Sequence, residues 1–185
     1  SGNIPEVPKI IEKRQFEWVL FGEDNQYPNA ISQLVYGSSI HNAIIKTKTK
    51  MTSGDGFLIN DAGTDEESEK NYLALPSAVK AQYDFFLKNP NGTDNMESIV
   101  NKLAYDYQMF GAFCYEVVWN LDFTDIATIK YVEVKNIRVG KPEKNQVTKY
   151  YYSQNWCDKK IKPTEIYAFN TADKEHCNQL VFEKS

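Results

Sequence analysis

The sequence predicts an α+β fold, with helices mainly in the N-terminal half and antiparallel strands in the C-terminal half. Two observations carry this. Apolar residues recur at helical spacing in several segments up to Tyr107, whereas after Gly111 they alternate one-in, one-out as on a pleated strand. Helices and strands are therefore segregated along the chain, which belongs to α+β architectures rather than to a doubly wound sheet. The bulk properties agree: 185 residues, 42% hydrophobic and 25% charged, are enough to bury a core.

The elements follow in order. Residues 1–15 mix Pro5, Pro8 and charges, and read as an extended arm; residues 16–185 read as one α+β domain. Phe16 to Phe21 is a short strand candidate ended by the turn-rich Gly22-Glu23-Asp24-Asn25. Pro28 suits a first helical turn, Ile31, Leu34 and Val35 follow at helical spacing, and Gly37 closes the segment. Ser38 or Ser39 caps a second helix whose predicted apolar stripe is Ile40, Ala43, Ile44 and Thr47. Gly54-Asp55-Gly56 forces a turn before Phe57-Leu58-Ile59, and the acidic stretch over 60–71 reads as a surface loop.

A third helix is predicted over Ser77 to Lys88, with Val79, Tyr83, Phe86 and Leu87 inward, stopped by Asn89-Pro90-Asn91-Gly92. Asp94 and Glu97 have capping-box spacing ahead of a fourth helix with Met96, Ile99, Val100, Leu103 and Tyr107 on its inner face. Alternation then predicts strands over 113–119 and 126–134, with further short strands at 137–139, 148–152, 166–169 and 180–182.

Composition excludes several function classes. No stretch approaches the roughly 18 apolar residues of a membrane helix. A net charge of -4 argues against a dedicated nucleic-acid reader with a basic face. Three widely spaced cysteines, Cys114, Cys157 and Cys177, are not a disulfide framework and read as ordinary thiols of a reducing compartment. The sequence holds no Gly-rich nucleotide loop, no nucleophile elbow and no HExxH, so no catalytic residue, metal or cofactor is assigned. His41 reads as a helix-surface histidine, Glu23-Asp24-Asn25 as an Asx-stabilised turn, and Lys46, Lys48 and Lys50 as a solvated helix face. The most unusual local composition is Tyr150-Tyr151-Tyr152 with Trp156 four residues on; Tyr150 and Tyr152 should face one side of a strand and Tyr151 the other.

Several runs together resemble the portal proteins of tailed bacteriophages. They are Trp18-Val19-Leu20-Phe21-Gly22-Glu23-Asp24-Asn25-Gln26-Tyr27-Pro28; Ser38 to Lys46 followed by Gly54-Asp55-Gly56; Phe110 to Trp119; Ile137-Arg138-Val139-Gly140; and Tyr150 to Trp156, where Asn155 stands in place of the family's Asp. The likeness spans about residues 16–182. It implies the N-terminal wing of a portal subunit, a fragment of a longer chain that assembles, usually as a dodecamer, into a ring at one capsid vertex. The family's partners would be terminase, capsid protein and a head-completion adaptor. DNA would pass through the ring without sequence-specific binding, and no membrane is involved. The location implied is the virion, after synthesis in the bacterial cytoplasm. Candidate interface residues are Trp18, Phe21, Tyr150, Tyr151, Tyr152 and Trp156.

Two other readings compete. One is a non-enzymatic Tyr/Trp-rich module that binds peptide, glycan or single-stranded nucleic acid by aromatic contact. The other is an enzyme using Cys114 or Cys177 with a histidine.

Overall fold

The computed structural model describes residues 10–11, 16–54, 70, 72–158 and 160–184. Helices α1 (Tyr27–Gly37), α2 (Ser39–Ser53), α3 (Ser77–Lys88) and α4 (Met96–Phe110) precede the main sheet. A two-residue pair, β1 (Ile10–Ile11) with β2 (Leu20–Phe21), stands at the N-terminal side. The sheet comprises β3 (Ala112–Trp119), β4 (Ile126–Val132), β5 (Ile137–Val139), β6 (Lys149–Tyr152), β7 (Thr164–Ala168) and β8 (Asn178–Lys184). Helices thus lie in the N-terminal half and a mostly antiparallel sheet in the C-terminal half, an α+β fold. Among the described residues no helix is long and apolar enough to cross a membrane.

The strand order is β4-β3-β8-β7-β6-β5. It puts β4 and β5 at opposite edges, although only residues 133–136 join them. Five Cα steps reach at most about 18 Å, whereas six flat strands at about 4.8 Å spacing would put the edges about 24 Å apart. The sheet must therefore curl. A 3-10 turn, Val134–Asn136, bridges its ends, and Val134 is buried with Ala112, Cys114, Ile137, Tyr150 and Leu180 in one cluster on one face. Ser153 N–H donates to the Asn136 carbonyl at 3.0 Å, tying the bridge to the end of β6.

The opposite face is shared between two coverings. Over β3 and β4, α4 lays Met96 and Ile99 against Ile129, with Leu87, Val100, Leu103, Tyr115 and Tyr131 around them. Over β5 and β6, the segment from Phe16 to Asn25 takes that place. Val19 N–H donates to the Val139 carbonyl (2.8 Å) and Lys141 N–H to the Glu17 carbonyl (3.0 Å), so this segment lines up beside β5. This is the half of the sheet that positions the candidate site.

The structure corrects several expectations. The stripe predicted for α2 faces outward: Ile40 is 71% and Ile44 49% exposed, with Ala43 and Thr47 also exposed. The opposite side packs instead. Thr49 is buried, Asn42 accepts from the Tyr105 hydroxyl (3.3 Å), Ser53 donates to Asn101 (2.7 Å), and Gln108 donates to Thr52 (3.1 Å). Polar contacts to α4 thus outweighed the apolar pattern. In α3, Val79 and Phe86 are exposed and Leu87 alone of the predicted face joins the α4 cluster. Tyr107 also points outward and meets Phe113 edge-on at 6.3 Å. The α4 N-cap is Asn95, whose side chain accepts from Ser98 N–H at 2.8 Å; Asp94 instead pairs with Lys102 at 2.6 Å.

One pair of strands, β7 with β8, is parallel over Tyr167↔Gln179 and Ala168↔Leu180. Buried Gln179 holds the loop between them. Its Oε1 accepts from Trp119 Nε1 (3.2 Å) and from Asn170 N–H (3.0 Å), and its Nε2 donates to the His176 carbonyl (3.2 Å). Most of the predicted arm, the turn over 55–56, Phe57-Leu58-Ile59 and the acidic stretch through Glu69 lie outside the described residues.

Candidate functional site

Four of the six predicted interface residues converge at one place. Trp18 sits 5.3 Å from Tyr151 and 5.5 Å from Trp156 by ring centroid, and Phe16 lies 5.2 Å from Trp18. Phe21 joins through Arg138, whose guanidinium carbon lies 5.3 Å from the Phe21 ring and 4.7 Å from the Trp156 ring. The strand period explains the sorting. Tyr150 and Tyr152 turn to the opposite face, where Tyr150 stacks on Phe182 at 5.5 Å and Tyr152 packs on the buried cluster. Tyr151 faces Trp18, as the alternation predicts.

Arg138 is the centre of this arrangement. It is fully buried, yet among the described residues no carboxylate neutralises it. Oxygens do so: Nε donates to Asn25 Oδ1 (2.5 Å), Nη2 to the Asn25 carbonyl (2.7 Å), and Nη1 to the carbonyls of Lys135 (2.9 Å) and Ile137 (2.8 Å). Burial pulls its pKa down to about 9, so it remains a cation at neutral pH. Two aromatic faces compensate part of the lost hydration.

Asn25 is shaped for this role. Its φ of 62° is left-handed, which asparagine tolerates better than most side chains. Its Oδ1 also accepts from Phe21 N–H at 3.1 Å, closing the turn, and Asp24 Oδ1 accepts from Gln26 N–H at 2.9 Å in the expected Asx manner. Gly140 allows the close approach behind this cluster, since a Cβ there would collide with the carbonyl oxygen of Lys149. Trp156 Nε1 donates to the Asn136 carbonyl at 3.1 Å. Three runs far apart in sequence, 18–28, 137–140 and 150–156, thus meet at one guanidinium.

A cleft of about 710 Å³ opens on this cluster. Phe16, Trp18, Tyr151 and Trp156 line it, with the carboxylates of Glu17, Glu23, Asp24, Asp158 and Glu165 and the amines of Lys160 and Lys162. Tyr151 hydroxyl donates to Glu17 Oε2 at 3.1 Å, and burial with this carboxylate pushes its pKa up to about 12. Among the described residues the Trp18 indole N–H is buried without an acceptor, and an unpaired buried donor costs about 1–3 kcal/mol.

No family model matches the chain, and no curated protein sequence matches it either. The reading of the site therefore rests on its residues.

The remaining candidates are placed elsewhere. Cys114 is buried, donates to the Val132 carbonyl at 3.2 Å, and has its thiol pushed well up by burial, the reverse of an activated nucleophile. His176 pairs with Asp173 at 2.8 Å and stacks on Tyr167 at 3.5 Å. His41 is an exposed helix residue 2.7 Å from the capping Ser38 hydroxyl. Lys46, Lys48 and Lys50 are exposed. Sequence reasoning missed Asn25, Arg138 and Gln179 as individuals. The available signal was that Asn25, Arg138 and Trp156 each sit in a different run of the portal-like pattern.

Proposed function

We propose that this chain is the wing region of a phage portal subunit, a structural element of a ring at the capsid vertex through which DNA is packaged and ejected. The observation that best supports the reading is the outward apolar stripe of the first two helices. Leu34 and Tyr36 at the end of α1, and Ile40, Ile44 and Met51 along α2, are 54%, 59%, 71%, 49% and 80% exposed. Positions 40, 44 and 51 lie on one side of the helix. A contiguous apolar face on a folded chain is a place for another protein. A ring subunit needs such faces on both sides and needs no active site. The portal-like order of motifs supplies the kind of assembly; neighbouring subunits, capsid protein, terminase and a head-completion adaptor are the partners it would bring. An acidic chain suits a conduit through which DNA slides, because basic contacts would hold phosphates by counterion release.

The test is negative-stain electron microscopy of the intact gene product that encodes this chain, wild type and Ile40→Asp/Ile44→Asp. Rings with a central hole, lost in the variant while its circular dichroism is unchanged, are the expected result. Small monodisperse globules in the wild type would overturn the ring reading. A second role, peptide binding, is favoured by one specific observation, the aromatic cleft beside Arg138.

A further inference from the structure

Strand alternation puts every second side chain on the inner face of the curled sheet. Toward one end this interior is filled by Ala112, Cys114, Leu180 and the side chains packed on them. Toward the other end, where β3 finishes and β7 and β8 begin, packing gives way to a cavity of about 790 Å³. The mouth of a barrel-like sheet is a favoured place for a small ligand. Val132, Tyr152 and Ile166 line the cavity and pack on the buried cluster behind them. Glu116, Lys130, Gln154, Thr164 and Asn178 also line it, and none of these is buried.

The charges of this lining cancel. Glu133 pairs with Lys135 at 3.1 Å and Glu165 with Lys149 at 3.3 Å, which leaves Glu116 and Lys130, one of each sign and opposite in register. Such a balance concentrates neither a phosphate backbone nor a polycation. The lining offers hydrogen bonds of both kinds instead. Asn178 Nδ2 donates to Glu116 Oε1 at 3.0 Å, which leaves its Oδ1 as an acceptor. Among the described residues the side chains of Lys130, Tyr152, Gln154 and Thr164 make no hydrogen bond. Amides and hydroxyls both donate and accept, as every sugar hydroxyl does. A nucleobase asks for a free aromatic face, whereas Tyr152 is half-buried against the core cluster. An extended peptide pairs with a strand edge, whereas this mouth presents strand ends and side chains.

We propose that the open mouth of the curled sheet binds a neutral saccharide. Gln154, Thr164 and Asn178 share its hydroxyls, Lys130 donates to it and Glu116 accepts from it, while its C–H groups rest on Val132 and Ile166. The inference is independent of ring assembly: rings without sugar binding would sink the inference alone, and sugar binding without rings would sink the ring reading alone.

The experiment follows assigned backbone amide NMR shifts of the labelled chain during titration into the millimolar range. The neutral probes are maltose, cellobiose, lactose and N,N′-diacetylchitobiose; the competing chemistries are glucose 6-phosphate, spermidine and acetyl-Ala-Gln-Ala-amide. The proteins compared are wild type, Gln154→Ala/Thr164→Val, Glu116→Gln/Lys130→Gln, and Gln33→Ala, an exposed position on α1, as the control. Glu116→Gln keeps an acceptor for Asn178. Expected are saturable shifts around the mouth with at least one neutral disaccharide, indifferent to added salt. Gln154→Ala/Thr164→Val is expected to weaken them about tenfold or more by removing two hydrogen-bonding groups, whereas Glu116→Gln/Lys130→Gln, which keeps hydrogen-bonding groups without charge, and Gln33→Ala retain them. Should Gln154→Ala/Thr164→Val not fold, Asn178→Ala carries the same expectation. No shift with any of the disaccharides, shifts away from the mouth, binding that survives Gln154→Ala/Thr164→Val, or a stronger response to the phosphate, the polyamine or the peptide each overturns the proposal.

Discussion

Removing the Arg138 guanidinium relieves the cost of burying a cation but strands the Asn25, Lys135 and Ile137 oxygens that now accept from it. The second effect wins, because those oxygens are inside the protein and Asn25 is held at a positive φ by the same bonds. Arg138→Met is expected to lower unfolding free energy by about 2–4 kcal/mol, and Arg138→Lys by less, since an ammonium keeps the charge but cannot span the same fork of acceptors. Urea melts followed by Trp fluorescence would read both, and a stable Met variant would show that the buried cation costs more than its bonds return. Gly140→Ala is expected to cost about 1–3 kcal/mol, towards the upper end, because the obstacle is the Lys149 carbonyl and not a side chain that can swing away. At this scale the sequence was only half legible. The aromatic residues announced themselves by composition, and strand alternation sorted Tyr151 from Tyr150 and Tyr152. Arg138 did not, because nothing local distinguishes an arginine facing water from one facing an asparagine more than a hundred positions away.

At the scale of elements, periodicity located the helices well and oriented them less well. Each of α1 to α4 lies where its pattern predicts, within a few residues at the ends. The orientation of α2 was inverted because its two sides differ little. Ile45 and Thr49 can pack against α4 as readily as Ile40 and Ile44 can, and the hydrogen bonds that Asn42 and Thr52 accept from α4 and Ser53 donates to it decide the outcome. A helix that turns its isoleucines outward has an apolar side that contributes little to the stability of the isolated chain. Ile40→Asp and Ile44→Asp are therefore expected to change monomer stability by less than about 0.5 kcal/mol, measured by thermal melts of the chain alone, even as they abolish assembly of the intact product. A loss of several degrees in melting temperature would place these side chains in the fold. The α4 cap makes the complementary prediction. Asn95→Ala removes the acceptor for Ser98 N–H and should cost about 1 kcal/mol, whereas Asp94→Asn, at the predicted box position, keeps an acceptor for Ser98 Oγ, loses a part-exposed ion pair with Lys102 and the long contact from Asn91 Nδ2, and should cost less.

For the molecule as a whole, the curl of the sheet was not legible, because curvature follows from the pairing of strands distant in sequence. Its consequence is a buried carboxylate. Asp106 on α4 reaches the start of the 3-10 bridge, where its Oδ2 accepts from Val134 N–H and from the Tyr131 hydroxyl, both at 2.9 Å. Burial outweighs these bonds and raises its pKa from 3.8 to about 6. Between these values the folded chain binds the proton and the unfolded chain does not, so stability rises as pH falls from about 6 towards 4 and the penalty is complete above 6. Two pH units correspond to about 3 kcal/mol at most. Asp84, Asp94 and Asp173, whose pKa values are lowered by Lys88, Lys102 and their other donors, act with the opposite sign and only as pH falls through the ordinary carboxylate range and below. Among the described residues the window from 4 to 6 therefore belongs chiefly to Asp106. Asp106→Asn keeps an acceptor for Val134 and Tyr131 without the buried charge. Urea melts at pH 5 and pH 7.5 should find the wild type more stable at pH 5 relative to the variant, with the variant gaining most at pH 7.5. Because the rest of the charge pattern is common to both proteins, it cancels in that difference, and equal pH dependence in the two would mean that Asp106 keeps its charge inside the fold.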